Sequence, residues 1–396
     1  MSAQPQAATS AIPFTRGSTL ATMRDASRTY VAGQTDQIQL QTNAFLECVL
    51  LDFSLVTAGN AATVAFAADS PWQVIQQIKL DDPAGQSIIT PISGYNLYLL
   101  NKYLPDVECA LDPKRDPNYS TVTGAGATGG SFSFRVVLPI EHRRRDALGA
   151  LNNSAANQRY LITISVIPAF ATLYTTPPTT PAPNLFLQVF QEYWTSPPAT
   201  ITTAQGSSQV QATPSGLGTV GFVRYERHNE VSGGGSPLIQ FNNVGDFISM
   251  IIFVLRDTAG ARDINLGPQS GTNQNFPAEF DFWVNDFQTQ ALSTIGATTP
   301  TATTGNGGVW PRNMSRFYDY PNAVETAGGL DNGVFVLHPL ASLFDRQYNF
   351  APANQYLPTD ATTKLQIRGS LWGNGSSFLE VITRMIRPVS GSALFN

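Results

Sequence analysis

The sequence predicts an all-β protein made of two similar domains in tandem, and three observations carry that prediction. Only 13% of the 396 residues are charged while 42% are hydrophobic, with 32 Gly and 27 Pro, the balance of a turn-rich β protein rather than a helical one. Short apolar stretches alternate with turn-forming clusters, and helical periodicity is confined to one segment. Several of the apolar stretches recur, in the same order, about 200 residues later.

Taken in order, FLECVLLDFSLV at 45–56 is rich in β-favouring residues and too short for a helix. As a strand it puts Phe45, Val49, Leu51, Phe53 and Leu55 on one register and Leu46, Cys48, Leu50 and Val56 on the other, so both faces are apolar. An ordinary sandwich strand shows one face to water, so this one is expected to be covered on both. In PWQVIQQIKL at 71–80, Trp72, Val74, Ile78 and Leu80 alternate with Gln73, Gln77 and Lys79, a half-exposed strand. DDPAG follows as a turn, then ISGYNLYLLNKYL at 92–104, where Tyr95, Leu99 and Tyr103 recur at the spacing of a short amphipathic helix. FRVVLP (134–139), YLITISVIP (160–168) and LFLQVFQEYW (185–194) are three further strands.

The second half echoes the first. FLECVLLDFSLVTAG at 45–59 is answered by FISMIIFVLRDTAG at 247–260, FRVVLP by VFVLHP at 334–339, ITISV (from Ile162) by LQIRGSL (from Leu365), and FLQVF (from Phe186) by FLEVI (from Phe378). Glycine and threonine tracts at 121–131 and 296–308 sit at matching places and read as surface loops. The division expected is an arm at 1–34, a first domain at 35–195, a Pro/Thr/Ser/Gly-rich linker at 196–218, a second domain at 219–390 and a tail at 391–396. Two sandwiches of this size, each with roughly eight strands and short helices in its longer connections, are what two tandem eight-stranded jelly rolls look like. Immunoglobulin-like domains run nearer about 100 residues.

A net charge of -5 gives no global attraction to nucleic acid or anionic membrane. The two cysteines, Cys48 and Cys109, have no close Cys or His neighbours for a zinc site and read as reduced thiols. The longest apolar runs, 160–174 and 247–255, fall short of the roughly 18 residues a spanning helix needs. The N-terminus lacks a charged start followed by an apolar core, which implies synthesis in the cytoplasm.

Candidate chemistry is sparse. His142, His228 and His338 are far apart in sequence, with no H-x-H for a cupin metal site. Glu279, Asp281 and Trp283 lie two apart along one strand face, an arrangement seen in sugar-binding or glycosidase sites and equally in the polar face of a sandwich. There is no G-x-S-x-G elbow or P-loop, so no enzyme and no cofactor is expected. EHRRRD at 141–146 holds the one dense basic run. Arg143, Arg144 and Arg145 fit either a solvated helix start or loop paired with Glu141 and Asp146 or intersubunit ion pairing. Near the N-terminus Arg16, Arg24 and Arg28 outnumber Asp25, beside an apolar cluster at Ile12, Pro13 and Phe14. That excess suits anionic lipid headgroups or an ordinary flexible tail.

SPWQVIQQIKLDDPAGQ (70–86) followed by SGYNLYLLN (93–101), and the closing stretch from GVFVLHP to FLEVITRMIRPV (333–389), resemble the double jelly-roll major capsid proteins of tailless icosahedral double-stranded DNA viruses. The likeness is strongest to the tectivirus-like bacteriophages, in the lineage that includes the adenovirus hexon. The order strand, acidic Pro turn, aromatic helix carries the resemblance, which spans nearly the whole chain without a catalytic signature. It implies a homotrimer whose six barrels make a pseudo-hexagonal capsomer in the icosahedral shell of an internal-membrane-containing phage, assembled in the host cytoplasm. It also implies an N-terminal arm on the inner face, with Arg16, Arg24 and Arg28 near lipid. Neighbouring capsomers and penton, minor capsid or membrane proteins would be its partners, with no sequence-specific nucleic acid. The alternatives are a two-domain glycan- or receptor-binding spike, and a bicupin or glycosidase. On the capsid reading the second apolar face is an interface, so Leu46, Leu50, Ile248 and Ile252 are expected to be buried.

Overall fold

The structure, a computed structural model, describes residues 11–104, 114, 116–142, 146–229, 238–256, 259–260, 262, 280–291, 334–337, 356–369 and 378–389, apart from positions 181, 205, 215, 243 and 286. Among the described residues the α-helices are α1 (Phe14–Gly17) and α2 (Gly94–Tyr103), with short 3-10 turns at Trp72–Val74, where the sequence predicts the start of a strand, and at Phe170–Leu173. The first half carries β1 (Leu20–Tyr30), β2 (Thr35–Gln39), β3 (Phe45–Leu55), β4 (Asn60–Phe66), β5 (Ile75–Asp81), β6 (Ser87–Ile92), β7 (Ser120–Thr121), β8 (Gly124–Gly126), β9 (Phe132–Pro139), β10 (Leu151–Asn152), β11 (Leu161–Val166), β12 (Tyr174–Thr176) and β13 (Leu185–Trp194). A hairpin of β14 (Thr200–Thr203) and β15 (Gly206–Gln209) precedes the second half. There follow β16 (Val220–Asn229), β17 (Leu238–Gln240), β18 (Phe247–Arg256), β19 (Phe280–Val284), β20 (Phe287–Ala291), β21 (Val334–Leu337), β22 (Leu357–Pro358), β23 (Leu365–Gly369) and β24 (Phe378–Arg387).

Eight principal strands of each half form two four-stranded sheets. In the first half the sheets run β1-β13-β3-β9 and β2-β11-β5-β6, and in the second β16-β24-β18-β21 and β17-β23-β19-β20. Numbered along the chain within its own half, each pair of sheets has the order 1-8-3-6 and 2-7-4-5, the double Greek key of a jelly roll. The four sequence echoes fall on strands three, six, seven and eight of both barrels. The duplication extends to a defect. Glu47 is an extra residue between Leu46 and Cys48 in the pairing of β3 with β13, and Ser249 is its counterpart between Ile248 and Met250 in β18. Both are β-bulges.

That bulge changes the facing of β3. Because one extra residue shifts the two-residue alternation, Leu46 joins the main core with Val49 and Leu51, while Phe45 packs in a satellite cluster with Phe14, Ala147, Ala150 and Trp194. The expected burial of Leu46, Leu50, Ile248 and Ile252 holds, although the bulges separate Leu46 from the face of Leu50 and Ile248 from that of Ile252. Val56, placed by periodicity in the buried register, lies beyond the strand end and is 60% exposed.

α2 also departs from its sequence pattern. Ser93 caps it by accepting the Asn96 amide, yet all ten of its residues are buried. Asn101 explains how a polar residue is accommodated. Its side chain donates to the Val137 carbonyl (2.8 Å) and accepts from the Val137 amide (2.7 Å), completing the edge of β9 as a further strand would.

Two segment assignments change as well. Residues 20–30, assigned to the arm, are β1 and pair along the whole of β13, because Arg24, Asp25 and Arg28 sit on an edge strand that tolerates charge. Within 196–218, β14 and β15 pair as a hairpin. The segment before β1 docks on it: Ile12 bridges Val210, and Phe14 is buried edge-on to Phe45 at 5.2 Å. Above the other end of the first barrel, β12, β4 and β8 form a small sheet from three different loops.

Candidate functional site

The joint between the two barrels is the most built polar site among the described residues. It starts from backbone. β6, at the edge of the first barrel, pairs in parallel with β16, the first strand of the second, through Ile89 and Val223. One eight-strand path from β2 to β21 therefore runs through both halves. The pairing is short because Thr90 continues it with its side chain, donating to the Val223 carbonyl (3.2 Å) and accepting from the Tyr225 amide (2.9 Å).

Beside this seam lies an ion network. Arg256 ends β18 and bridges Asp69 of the first half (2.7 Å) to Glu380 of β24 (2.6 Å). Arg262 takes the other carboxylate oxygen of Asp69, and Tyr225 donates to the second oxygen of Glu380 at 2.9 Å. The Tyr95 ring of α2 lies against both guanidinium groups, 4.6 Å from that of Arg262 and 5.6 Å from that of Arg256. Burial works against the Arg256 charge, but the two carboxylates outweigh it and hold its pKa above the usual arginine range. Burial, reinforced by the Glu380 charge, pushes the Tyr225 hydroxyl up. Every charged member is paired, the condition under which buried charge is tolerated.

Farther along the same face of β24, Arg384 donates to the Glu141 carbonyl (3.1 Å), and His142 Nε2 lies 3.2 Å from the Met385 carbonyl. Glu141 also accepts from the Trp194 indole at 2.9 Å. Leu148 packs with Ile386 and Tyr356. By strand alternation, Ile382 and its cross-strand partner Ile252 lie between the two polar groups. The approach needs Gly221: a Cβ there would come within 2.5 Å of the His142 ring. One hydrophobic core runs through residues of both halves, and β24 is buried on both faces along nearly its whole length.

The residues singled out in the sequence separate accordingly. Glu141 and His142, read there as part of a solvated loop or an ion-pairing run, are each 1% exposed and belong to the joint. Arg143, Arg144 and Arg145 lie outside the described residues, as do Cys109, Glu279 and His338. Asp281 and Trp283 are in β19. His228 pairs with Glu226 at 3.0 Å on the same strand. Arg16 closes α1, Arg24 donates to Ser27 (2.7 Å), and Arg28 pairs with Asp36 (3.1 Å). One cluster had no sequence signal: Glu47, Cys48 and Glu192 bring a ligand atom each within 4.8 Å of one another. Within it the Cys48 thiol donates to Glu192 at 3.6 Å. The joint itself was missed because Asp69, Arg256 and Glu380 are scattered single charges in the chain.

No protein-family model and no curated protein matches the sequence. Solved structures do match over nearly the full length. PBCV-1 VP54, fitted into a reconstruction of the virophage Sputnik, aligns with a TM-score of 0.55 at 11% identity, covering 99% of this chain and 98% of its own. The STIV MCP gives 0.53 at 13% identity, covering 93% and 96%, and the major capsid protein P2 of bacteriophage PM2 gives 0.50 at 11%, covering 94% and 99%. These neighbours are double jelly-roll major capsid proteins of icosahedral viruses rather than enzymes. Two barrels of identical strand order, fused through a shared sheet and matched end to end by such proteins, give this chain the double jelly-roll fold of icosahedral-virus major capsid proteins.

Proposed function

We propose that the chain is a major capsid protein that trimerises into pseudo-hexagonal capsomers and builds the icosahedral shell of a tailless, internal-membrane-containing DNA phage. The observation that carries this reading is the joint. A continuous sheet, a shared core and a paired ion network make the two barrels one rigid block, which a tile of fixed shape requires. Two similar barrels per copy supply six similar positions from three copies. The role is assembly, without a reaction, and its place is the virion. In this reading the arm is the segment before β1, and the two barrels are joined by a connection that carries the β14–β15 hairpin. In this reading Arg16, Arg24 and Arg28 face the shell interior and its lipid, and Arg143–Arg145 pair between subunits. Penton, minor capsid or membrane proteins complete the shell.

Purified protein tests the proposal. A trimer in sedimentation equilibrium that forms hexagonal arrays under the electron microscope is expected. A strictly monomeric species at tens of micromolar that retains glycans on an array would replace the capsid reading with the spike-like one.

A further inference from the structure

We infer that copies join through a strand seam: β20 of one copy pairs in parallel with β1 of the next, as β6 pairs with β16 inside the chain. The inference rests on the trimer reading and names the backbone contact that would close the ring.

The argument is positional. In the first barrel Thr22 faces Glu192 and Arg24 faces Phe190, and in the second Val223 faces Arg384 and Tyr225 faces Ile382. Glu192 faces Cys48 and Arg384 faces Met250, the residues just past the shared bulge, so Thr22 stands where Val223 stands and Arg24 where Tyr225 stands. Inside the chain the Val223 carbonyl and Tyr225 amide point away from β24 and are taken by Thr90 of β6. The Thr22 carbonyl and Arg24 amide therefore point outward from β1. On the donor side, Val284 faces Phe287 as Leu80 faces Ile89, so Phe287 of β20 stands where Ile89 stands.

Both edges are open among the described residues, since β1 pairs only with β13 and β20 only with β19. Val223 is buried where the internal seam covers it, whereas Thr22 and Arg24 are exposed. An open edge of this length is a template for strand addition. The seam has a natural limit: Gln41 already donates to the Asp25 carbonyl at 3.0 Å, which leaves Leu20–Arg24 as the pairing stretch. Each copy offers one edge of each kind, a heterologous contact that closes into a ring when the step between copies repeats the step within one.

Arg24→Pro tests this, because it deletes the outward amide at an edge position where proline is tolerated, while Arg24→Ala removes the side chain and keeps the amide. Sedimentation should show trimers for wild type and Arg24→Ala, and monomers with an unchanged circular dichroism spectrum for Arg24→Pro. A Thr22→Cys/Phe287→Cys double variant decides the matter even if the proline variant misfolds. Strands in a sheet lie about 4.8 Å apart, within disulfide reach, so oxidation should give covalent trimers on a non-reducing gel. A trimeric Arg24→Pro together with no intermolecular disulfide would overturn the seam and leave the trimer standing. A monomeric wild type would remove both.

Discussion

Replacing Asp69 by Ala should destabilise the joint more than any single surface ion pair does. The substitution leaves Arg256 paired with the Glu380 carboxylate and takes from Arg262 its ion pair with Asp69, at side-chain exposures of 8% and 2%. Removing one partner of a buried pair costs about 3–5 kcal/mol, because the remaining charge stays desolvated. Unfolding entropy of about 2.1 cal/mol/K per residue over 396 residues is roughly 0.8 kcal/mol/K, so the melting temperature should fall by about 4–6 °C. Urea unfolding followed by tryptophan fluorescence gives the free energy, and scanning calorimetry gives the shift. Glu380→Ala, measured alone and with Asp69→Ala, completes a cycle. Since each single variant leaves Arg256 one carboxylate and the double variant leaves it none, the double variant should cost more than the sum by about 0.5–3 kcal/mol. A loss below about 1 kcal/mol for Asp69→Ala, the range of exposed pairs, or strict additivity would show that the network does not hold the barrels together.

Further outcomes follow from other parts of the structure. Gly221→Ala places a methyl group against His142 and the Ile140 carbonyl, and the overpacking should cost about 1–3 kcal/mol in the same urea assay. Asn101→Leu strands the buried Val137 amide and carbonyl, at about 1–3 kcal/mol for each; Asn101→Asp, which keeps the acceptor, should lose less. Phe14→Ala removes the anchor of segment 11–19, so limited proteolysis should cut there first while the barrel melting temperature moves little. Tyr160 and Tyr174 are held neutral by burial, with pKa values pushed up to about 12. A raised tyrosine pKa adds stability that is complete below the unfolded value near about 10 and is lost as pH rises through the folded one. Stability should therefore drop between pH 10 and 12, and Tyr160→Phe with Tyr174→Phe should flatten that drop. An unchanged slope would contradict the burial argument.

Much of the architecture was legible because it depends on local pattern. A strand buried on both faces must be apolar at consecutive positions, and Leu46, Leu50, Ile248 and Ile252 announce this in either half. The echoes between 45–59 and 247–260 and between 186–190 and 378–382 survive for the same reason, since equivalent core positions accept only apolar side chains. Alternation misassigns Phe45 and Leu46 because a bulge is a property of two paired strands, and nothing in FLECV alone says that Glu47 is an extra residue opposite β13. The α2 stripe of Tyr95, Leu99 and Tyr103 reads as amphipathic until the barrel wall covers the opposite side as well.

What the sequence determined by itself is the fold class and its duplication, because hydrophobic period and turn chemistry act over a few residues. What only the tertiary structure decided is the joint. Asp69, Arg256 and Glu380 are ordinary charges in the chain, and they become a single network because the shared sheet brings residues nearly 190 apart in sequence into contact. The same closure turns Glu141 and His142 from residues of a charged surface motif into buried groups, and makes Gly221 necessary only because an imidazole from the other barrel occupies the space its side chain would fill.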